Sequence, residues 1–213
     1  EAEILIRNFS GSTRAQFYAR LTDPIKFPME GALEDALERR CLREPLAYIT
    51  GHREFYNLDF SVTPDVLIPR PETELLVERG LNHLRKRCNP KARVVDVGTG
   101  SGAVGIAIAH FLPDIRLIGI DCSLAALKIA RRNADKLIPN GNYQWLQGDL
   151  LTASDGPIDR LVANLPYVPN RRMMSLAPEI KLYEPQLAIT PGAIGTELIL
   201  RMINQLSRCL PPY

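Results

Sequence analysis

The sequence predicts an α/β protein with a doubly wound parallel sheet, preceded by a small helical segment and a β-hairpin. From Arg93 onward, short runs of Val, Ile and Leu alternate with amphipathic helical patterns, as in successive βαβ units. A glycine-rich loop directly follows the first of these runs. We therefore expect three parts: a helical domain at 1–52, a β-hairpin linker at 53–69 and a larger α/β domain at 70–213.

The composition is typical of a soluble globular protein. It has 213 residues, of which 46% are hydrophobic and 23% charged. A net charge of +2 argues against a protein whose main task is to bind polyphosphate. The longest apolar run, Ala103–Leu112, is far shorter than the roughly 20 residues of a membrane-spanning helix. We expect a cytoplasmic protein with no membrane association.

Cysteine and histidine spacing gives no indication of a metal site. The four cysteines are scattered without a C-x-x-C pair, which suits a reducing compartment: Cys41, Cys88, Cys122 and Cys209. The three histidines show no ligand spacing either: His52, His83 and His110. We expect no bound metal.

The first 70 residues change from helical to strand periodicity. Thr13 follows a glycine and can cap a helix from Arg14, and a third helix is expected from about Met29. The stretch Glu54–Phe60 alternates aromatic or apolar residues with polar ones, which predicts the hairpin. Pro71 then suits the first position of the next helix.

The remaining chain carries the strand and helix repeats. The predicted strands are Arg93–Val97, Arg116–Ile120, Tyr143–Gln147 and Ile158–Ala163, and the predicted helices that follow or separate them are Gly102–Phe111, Leu124–Leu137 and Gly195–Arg208. Ligands are expected at the carboxyl ends of the strands. A sheet of this type normally continues into an antiparallel hairpin at its edge, so we expect C-terminal strands to be missing from the chain as given.

The loop after the first strand reads Asp96-Val97-Gly98-Thr99-Gly100-Ser101-Gly102. Its glycines let the backbone approach a ligand closely, with a helix N-terminus behind it. The carboxylate of Asp121, at the end of the next strand, can accept hydrogen bonds from both hydroxyls of a ribose. The spacing Gly98-x-Gly100-x-x-Ala103 also satisfies a dinucleotide-binding fingerprint. The loop alone therefore leaves a nicotinamide enzyme and a methyltransferase open.

Two acidic positions favour S-adenosylmethionine over a nicotinamide cofactor. Asp96 precedes the glycines, where a methyltransferase needs a charged group near the amino-acid end of the donor. Asp149 and Leu150 follow the third strand, where an adenine would lie.

The segment Asn164-Leu165-Pro166-Tyr167 ends the fourth strand. The Asn side-chain oxygen and a nearby backbone carbonyl can together accept both hydrogens of one planar NH2 group. The Tyr ring can lie flat against the group that carries it. This motif suits an adenine, a guanine or a glutamine amide as the methyl acceptor.

Several segments together closely resemble the peptide chain release factor glutamine methyltransferases, over nearly the whole chain. They are Glu44–Gly51, Arg53–Phe55, Leu67–Glu74, the glycine loop, Asn164–Tyr167, Leu176-x-Pro178-Glu179 and Tyr183-Glu184-Pro185. The resemblance implies a class I, Rossmann-like methyltransferase that methylates the glutamine side-chain amide in the Gly-Gly-Gln motif of a release factor. The donor would be S-adenosylmethionine, and S-adenosylhomocysteine would be its product.

The resemblance also implies the roles of the site residues. The residues implied for donor binding are Asp96, Gly98, Thr99, Gly100, Ser101, Gly102, Asp121, Asp149, Leu150 and Asn164. The glutamine would be held by Asn164, Leu165, Pro166 and Tyr167, with Asn164 and Tyr167 as the catalytic residues. Phe55 and Phe60 in the hairpin would form a wall between the two sites. The partner is a release factor, with no nucleic acid required, and the enzyme is expected to be a monomer.

Two alternatives remain open. The family usually has Asn-Pro-Pro-Tyr, whereas Leu165 here replaces the first Pro, and Asn-Leu-Pro-Tyr also resembles the motif of ribosomal RNA adenine dimethylases. A nucleic-acid amino-methyltransferase is therefore one alternative, with Arg171 and Arg172 as its only adjacent cations in sequence. A binding protein that keeps the fold without turnover is the other.

Overall fold

The alternating runs of Val, Ile and Leu form a parallel four-stranded sheet in the computed structural model, which describes residues 1–22, 30–87, 89 and 91–206. The strands are β3 (Arg93–Val97), β4 (Arg116–Asp121), β5 (Asn142–Gln147) and β6 (Arg160–Ala163), after two strands of a separate hairpin. The order β5-β4-β3-β6 changes direction at β3, so connections leave that strand to both sides. The crevice for a ligand is expected at this point.

Helices cover both faces of the sheet, which confirms the doubly wound fold. They are α5 (Glu74–Arg87), α6 (Ala103–Phe111), α7 (Leu124–Leu137) and α9 (Glu197–Leu206). Val94 and Leu117 point to one face and pack in a core cluster with α5, α6 and α7. Their neighbours Val95 and Ile118 point to the other face and pack with α9. Alternate strand residues thus supply two separate cores.

The N-terminal part is helical, as predicted. Its helices are α1 (Ala2–Ser10), α2 (Arg14–Ala19), α3 (Glu30–Cys41) and α4 (Leu46–Thr50). Thr13 and Gln16 form a reciprocal capping box at the start of α2. The expected helix start near Met29, and Cys88 and Cys209, lie outside the described residues. A small core of Leu5, Ala36 and Ile49 joins α1, α3 and α4.

The predicted hairpin is present between the helical part and the sheet. Strands β1 (His52–Phe55) and β2 (Leu58–Ser61) pair antiparallel. The two turn residues, Tyr56 and Asn57, both have positive φ values of 51° and 59°. This is the combination that a tight hairpin turn requires.

Irregular structure and one short helix connect β6 to α9. A 3-10 turn at Asn170–Ser175 leads into α8 (Pro178–Tyr183), and a second turn follows at Gln186–Ala188. Throughout the part of the chain described above, every helix is too short or too polar to cross a lipid bilayer.

One buried amide joins the hairpin to the glycine loop. Asn133 on α7 is fully buried, and its side chain bonds both the N–H and the C=O of Ser61 on β2, at 2.8 and 3.0 Å. The same Nδ2 also donates to the carbonyl of Ser101 at 2.8 Å. The carboxamide therefore satisfies three backbone groups that belong to two different segments.

We expect Asn133→Ala to lower the free energy of unfolding by roughly 2–4 kcal/mol, because these backbone groups would lose their partner. Chemical denaturation measures the change. The matched control is Asn142→Ala at an exposed position on β5, for which we expect almost no change. Equal stability of the two variants would contradict the structural role of Asn133.

Candidate active site

The glycine loop is anchored on the neighbouring strand. The amides of Gly98 and Thr99 both donate to the carbonyl of Ile120 on β4, at 2.8 and 3.0 Å. Gly98 and Gly100 have φ values of 68° and 55°, in the left-handed region that favours glycine. The loop therefore turns sharply over the end of β4 and exposes its backbone to the space above the sheet.

Asp121 closes the other side of that space. Its Oδ2 accepts a hydrogen bond from the amide of Gly100 at 2.9 Å, and its Oδ1 accepts one from the amide of Ser123 at 2.9 Å. Ser123 in turn caps α7 through the amide of Ala126. A carboxylate offers about four lone-pair sites, so both oxygens keep capacity for a ligand. The two amides fix the orientation of the carboxylate.

Asp96 lies beneath the loop and is 2% exposed. Its Oδ2 accepts from the Thr99 hydroxyl at 2.8 Å and from the Gly105 amide at 3.0 Å. Burial raises the pKa of Asp96 to about 6, against the lowering effect of these two hydrogen bonds. Asp96 thus ties the loop to the first turn of α6 and also reaches the cavity described next.

A cavity of about 340 Å³ opens at the carboxyl ends of the strands, and we call it the strand-end cavity. Its volume is in the range of small-molecule sites. The sequence-predicted residues in its lining are Asp96, Gly98, Thr99, Gly100, Ser101, Asp121, Asp149, Leu150, Asn164, Leu165 and Pro166. The structure therefore brings together most residues that the sequence assigns to the donor.

Asp149 and Leu150 occupy one wall of the strand-end cavity. The carboxylate of Asp149 forms an ion pair with Arg201 of α9. Leu150 is buried and has a positive φ of 57°, which is uncommon for a leucine. Backbone strain of this kind concentrates at ligand sites.

A second cavity of about 450 Å³ lies beside the first, and we call it the side cavity. It is lined by Arg70, Glu72, Leu76, Ala163, Tyr167, Val168, Leu176, Ile180 and Ile189, together with five residues that also line the strand-end cavity: Leu67, Thr73, Asn164, Leu165 and Ala188. The two cavities therefore meet at Asn164.

The Asn164 side chain makes one long hydrogen bond at this junction. Its Nδ2 donates to the hydroxyl of Thr73 at 3.4 Å. The amide oxygen is therefore left as an acceptor at the junction. Tyr167 is 66% exposed, so its ring is available at the mouth of the side cavity.

Three residues expected at the site have other surroundings. Phe55 and Phe60 are 1% and 0% exposed and pack edge to face, 6.1 Å apart, within the main core. They lie outside both cavity linings, so they do not fit the expected wall, and their alternation marks a core face instead. Gly102 lies behind the loop, where a Cβ would come within 2.5 Å of Ile106. It permits packing of α6 rather than contact with a ligand.

Leu67 is the wall residue that the sequence analysis missed. It lines both cavities, and Pro69 lines the strand-end cavity, whereas Ile68 between them is buried in a separate cluster. Residues that alternate in an extended segment face opposite sides. This period of two is the pattern that could have identified Leu67.

Within the described ranges, no group of His, Cys, Asp or Glu side chains is arranged to hold a metal ion. Cys41 and Cys122 are free thiols.

The raised pKa of Asp96 predicts that the stability of the fold depends on pH. Its pKa is raised from 3.8 to about 6, so between these values the folded state keeps a proton that the unfolded state has lost. Stability is therefore lost as the pH rises from about 4 to about 6, by roughly 3 kcal/mol at most. We expect Asp96→Asn, which cannot titrate, to lack this loss in denaturation curves from pH 4 to 8. Parallel pH profiles for the two proteins would contradict the buried titration.

Comparisons with known proteins agree with this geometry. The family models that match are "Methyltransferase small domain" over residues 72–180 and "PrmC N-terminal domain" over residues 1–51. A release factor glutamine methyltransferase of Moorella thermoacetica is 41% identical over 198 residues, which are 92% of this chain and 69% of the relative. The enzyme of the same name from Burkholderia pseudomallei is 40% identical, over 95% of this chain and 72% of the relative.

A solved structure supports the fold alone. The hMettl16 catalytic domain, in complex with the MAT2A 3′UTR hairpin 6, superposes with a TM-score of 0.56 at 14% identity. The match covers 86% of this chain and 66% of that chain. From the helical N-terminus to α9, the chain belongs to the release factor glutamine methyltransferase family.

Proposed function

We propose that this chain transfers a methyl group from S-adenosylmethionine to the side-chain amide nitrogen of the glutamine in the Gly-Gly-Gln motif of a peptide chain release factor. The observation that carries the proposal is the junction of the two cavities at Asn164. One cavity suits a nucleoside donor and the other suits a peptide side chain. The names of the relatives, which are release factor glutamine methyltransferases, support this acceptor.

The strand-end cavity fits the donor by its chemistry. Asp121 keeps acceptor capacity for ribose hydroxyls, and the glycine loop offers backbone groups at a helix N-terminus. Asp149 and Leu150 line the cavity and would lie beside the adenine, with apolar residues of the lining available to its ring faces. When it is bound, S-adenosylmethionine supplies an electrophilic methyl group on a sulfonium.

The acceptor needs alignment because an amide nitrogen is a weak nucleophile whose lone pair is delocalised into the carbonyl. The Asn164 side-chain oxygen and the backbone carbonyl of Leu165 would accept the two N–H bonds of the glutamine amide. These bonds orient the nitrogen and increase its electron density. Transfer forms an N–C bond and breaks the S–C bond, and one amide proton then leaves to water.

The apolar lining supports exclusion of water from the transfer. Leu67, Leu165 and Ala188 line both cavities at the junction. A side chain that enters from the side cavity would displace solvent there. Tyr167, exposed at the mouth, would cover the planar amide group.

The helical segment 1–52 is proposed as the docking part, with 53–69 as linker and 70–213 as the catalytic part. Contacts with α8 support this division. Arg43 Nε lies 3.1 Å from a Glu179 carboxylate oxygen, and the Tyr183 hydroxyl donates to the carbonyl of Leu42 at 2.7 Å. The residues that directly follow α3 are thereby joined to α8, whose Ile180 lines the side cavity. We propose a monomer that acts in the cytoplasm, with no nucleic acid required.

We expect Asn164→Ala to lower kcat for release factor methylation by about 100-fold or more, because the amide loses one of its two acceptors. Donor affinity should fall by much less than kcat, because Asn164 is one of many residues that line the strand-end cavity. The assay uses labelled S-adenosylmethionine with an intact release factor, and calorimetry measures donor binding. Asn142→Ala, at an exposed site, is the matched control.

The acceptor itself is tested with a release factor whose Gly-Gly-Gln glutamine is replaced by alanine. We expect no labelling of this protein by the wild-type enzyme. Equal labelling would contradict the proposal. Methylation of RNA in place of the release factor would favour a nucleic-acid amino-methyltransferase, and donor binding without transfer would favour a non-catalytic protein.

A further inference from the structure

The side cavity contains one arginine whose partner is buried beneath it. Arg70 Nη2 donates to Glu184 Oε1 at 2.5 Å. The Glu184 side chain is 1% exposed, whereas the Arg70 side chain is 34% exposed. Arg70 lines the side cavity, but Glu184 does not. The pair therefore has a buried end and an end that faces the cavity.

Burying a carboxylate in this way is unfavourable for the stability of the fold. Burial raises the pKa of Glu184, and the bond with Arg70 opposes that rise. Replacing such pairs by apolar residues is often neutral or stabilising in other proteins. A pair of this cost at the wall of a binding cavity suggests a role in binding.

Among the described residues, Glu184 is the hydrogen-bond partner of this guanidinium, and most of its donors stay unused. Arginine has five N–H donors in a rigid planar fork, and only Nη2 is engaged by Glu184. With its orientation fixed by the buried carboxylate, the fork can direct remaining donors toward the cavity without ordering a free side chain.

We propose that Arg70 is a specificity-determining residue that donates hydrogen bonds to a main-chain carbonyl of the acceptor loop, and that Glu184 is the positioning residue that holds it. The inference rests on the proposed function, since it concerns how the loop around the acceptor glutamine is bound. It assigns peptide backbone recognition to the side cavity.

Charge decides between a carbonyl and an anion as the ligand of Arg70. The guanidinium charge is already balanced by Glu184 at 2.5 Å. Glu72 lines the same cavity and adds a further carboxylate nearby. An incoming phosphate or carboxylate would meet this negative charge, whereas a neutral carbonyl would not. The arrangement therefore favours a peptide carbonyl.

The test compares Arg70→Gln and Arg70→Lys with the wild-type enzyme and an intact release factor. We expect Arg70→Gln to raise KM for the release factor by about 10- to 100-fold, which is the usual effect of losing a hydrogen bond to a charged group. The kcat and the donor affinity should stay within about threefold. Arg70→Lys should recover part of the loss in KM, because it keeps one donor but not the fork.

Two further variants separate binding from folding. Arg79→Gln removes the same charge from an exposed position on α5 and should leave KM unchanged. Glu184→Gln keeps the shape of the partner and should raise KM less than Arg70→Gln does. Thermal unfolding with calorimetric donor binding reports whether each variant is folded.

The outcomes are distinct. No release factor methylation by the wild-type enzyme would reject the proposed function, whereas methylation with an unchanged KM in Arg70→Gln would overturn only this inference. Equal losses of donor affinity and thermal stability, without a KM effect, would assign the pair a merely structural role. A KM that rises steeply with salt in the wild type, but not in Arg70→Gln, would indicate an anionic ligand and overturn the carbonyl assignment.

Discussion

Hydrogen bonding between β3 and β6 is the constraint on which the site depends. Val97 lies opposite Ala163 in this parallel pair, so the next residues, Gly98 and Asn164, leave the sheet side by side. Parallel strands that are neighbours in the sheet end at the same edge. The glycine loop and the Asn164–Tyr167 motif are therefore adjacent, although 65 residues of sequence (99 to 163) separate Gly98 from Asn164. A shift in register would separate them.

Packing at Leu165 explains how the motif tolerates the loss of its first proline. Leu165 is 6% exposed and belongs to the same core cluster as Val97 and Ile120. A Cβ on Gly98 would lie 3.1 Å from Leu165 Cδ2, so the two segments approach closely. A proline would fix the backbone through its ring. Here the buried side chain fixes it instead.

Sequence patterns predicted the parts of the fold that local chemistry determines. Strand β3 matched its predicted bounds, because its residues are a short apolar run followed by glycines. Helix α7 also matched its predicted bounds, and the Ser123 side chain caps its start. Leu67 was missed because its place between the two cavities depends on how distant segments pack, and local chemistry does not determine that. Phe55 is aromatic and conspicuous, but the hairpin turns it into the core, whereas Leu67 lies at the junction.

Contacts between residues that are far apart in the chain could not be predicted from the sequence. Arg70 and Glu184 both stand in segments that resemble the family, yet nothing local indicates that they pair across 114 positions. The same is true of Asn133 and Ser61, which are 72 positions apart. Such contacts depend on how the elements dock, and docking is set by the whole core.

The α8 segment is fixed at both of its ends, which gives the N-terminal helices an influence on the side cavity. At its start Glu179 pairs with Arg43, and at its end the Tyr183 hydroxyl bonds the Leu42 carbonyl. Glu184 follows directly and holds Arg70. The ion pair with Arg43 is partly exposed and weak by itself. Because these contacts act on one short helix and the residue that follows it, however, a displacement of α3 would move the cavity wall and the Arg70 partner together. The proposed function therefore predicts that the N-terminal helices influence acceptor binding through the position of α8.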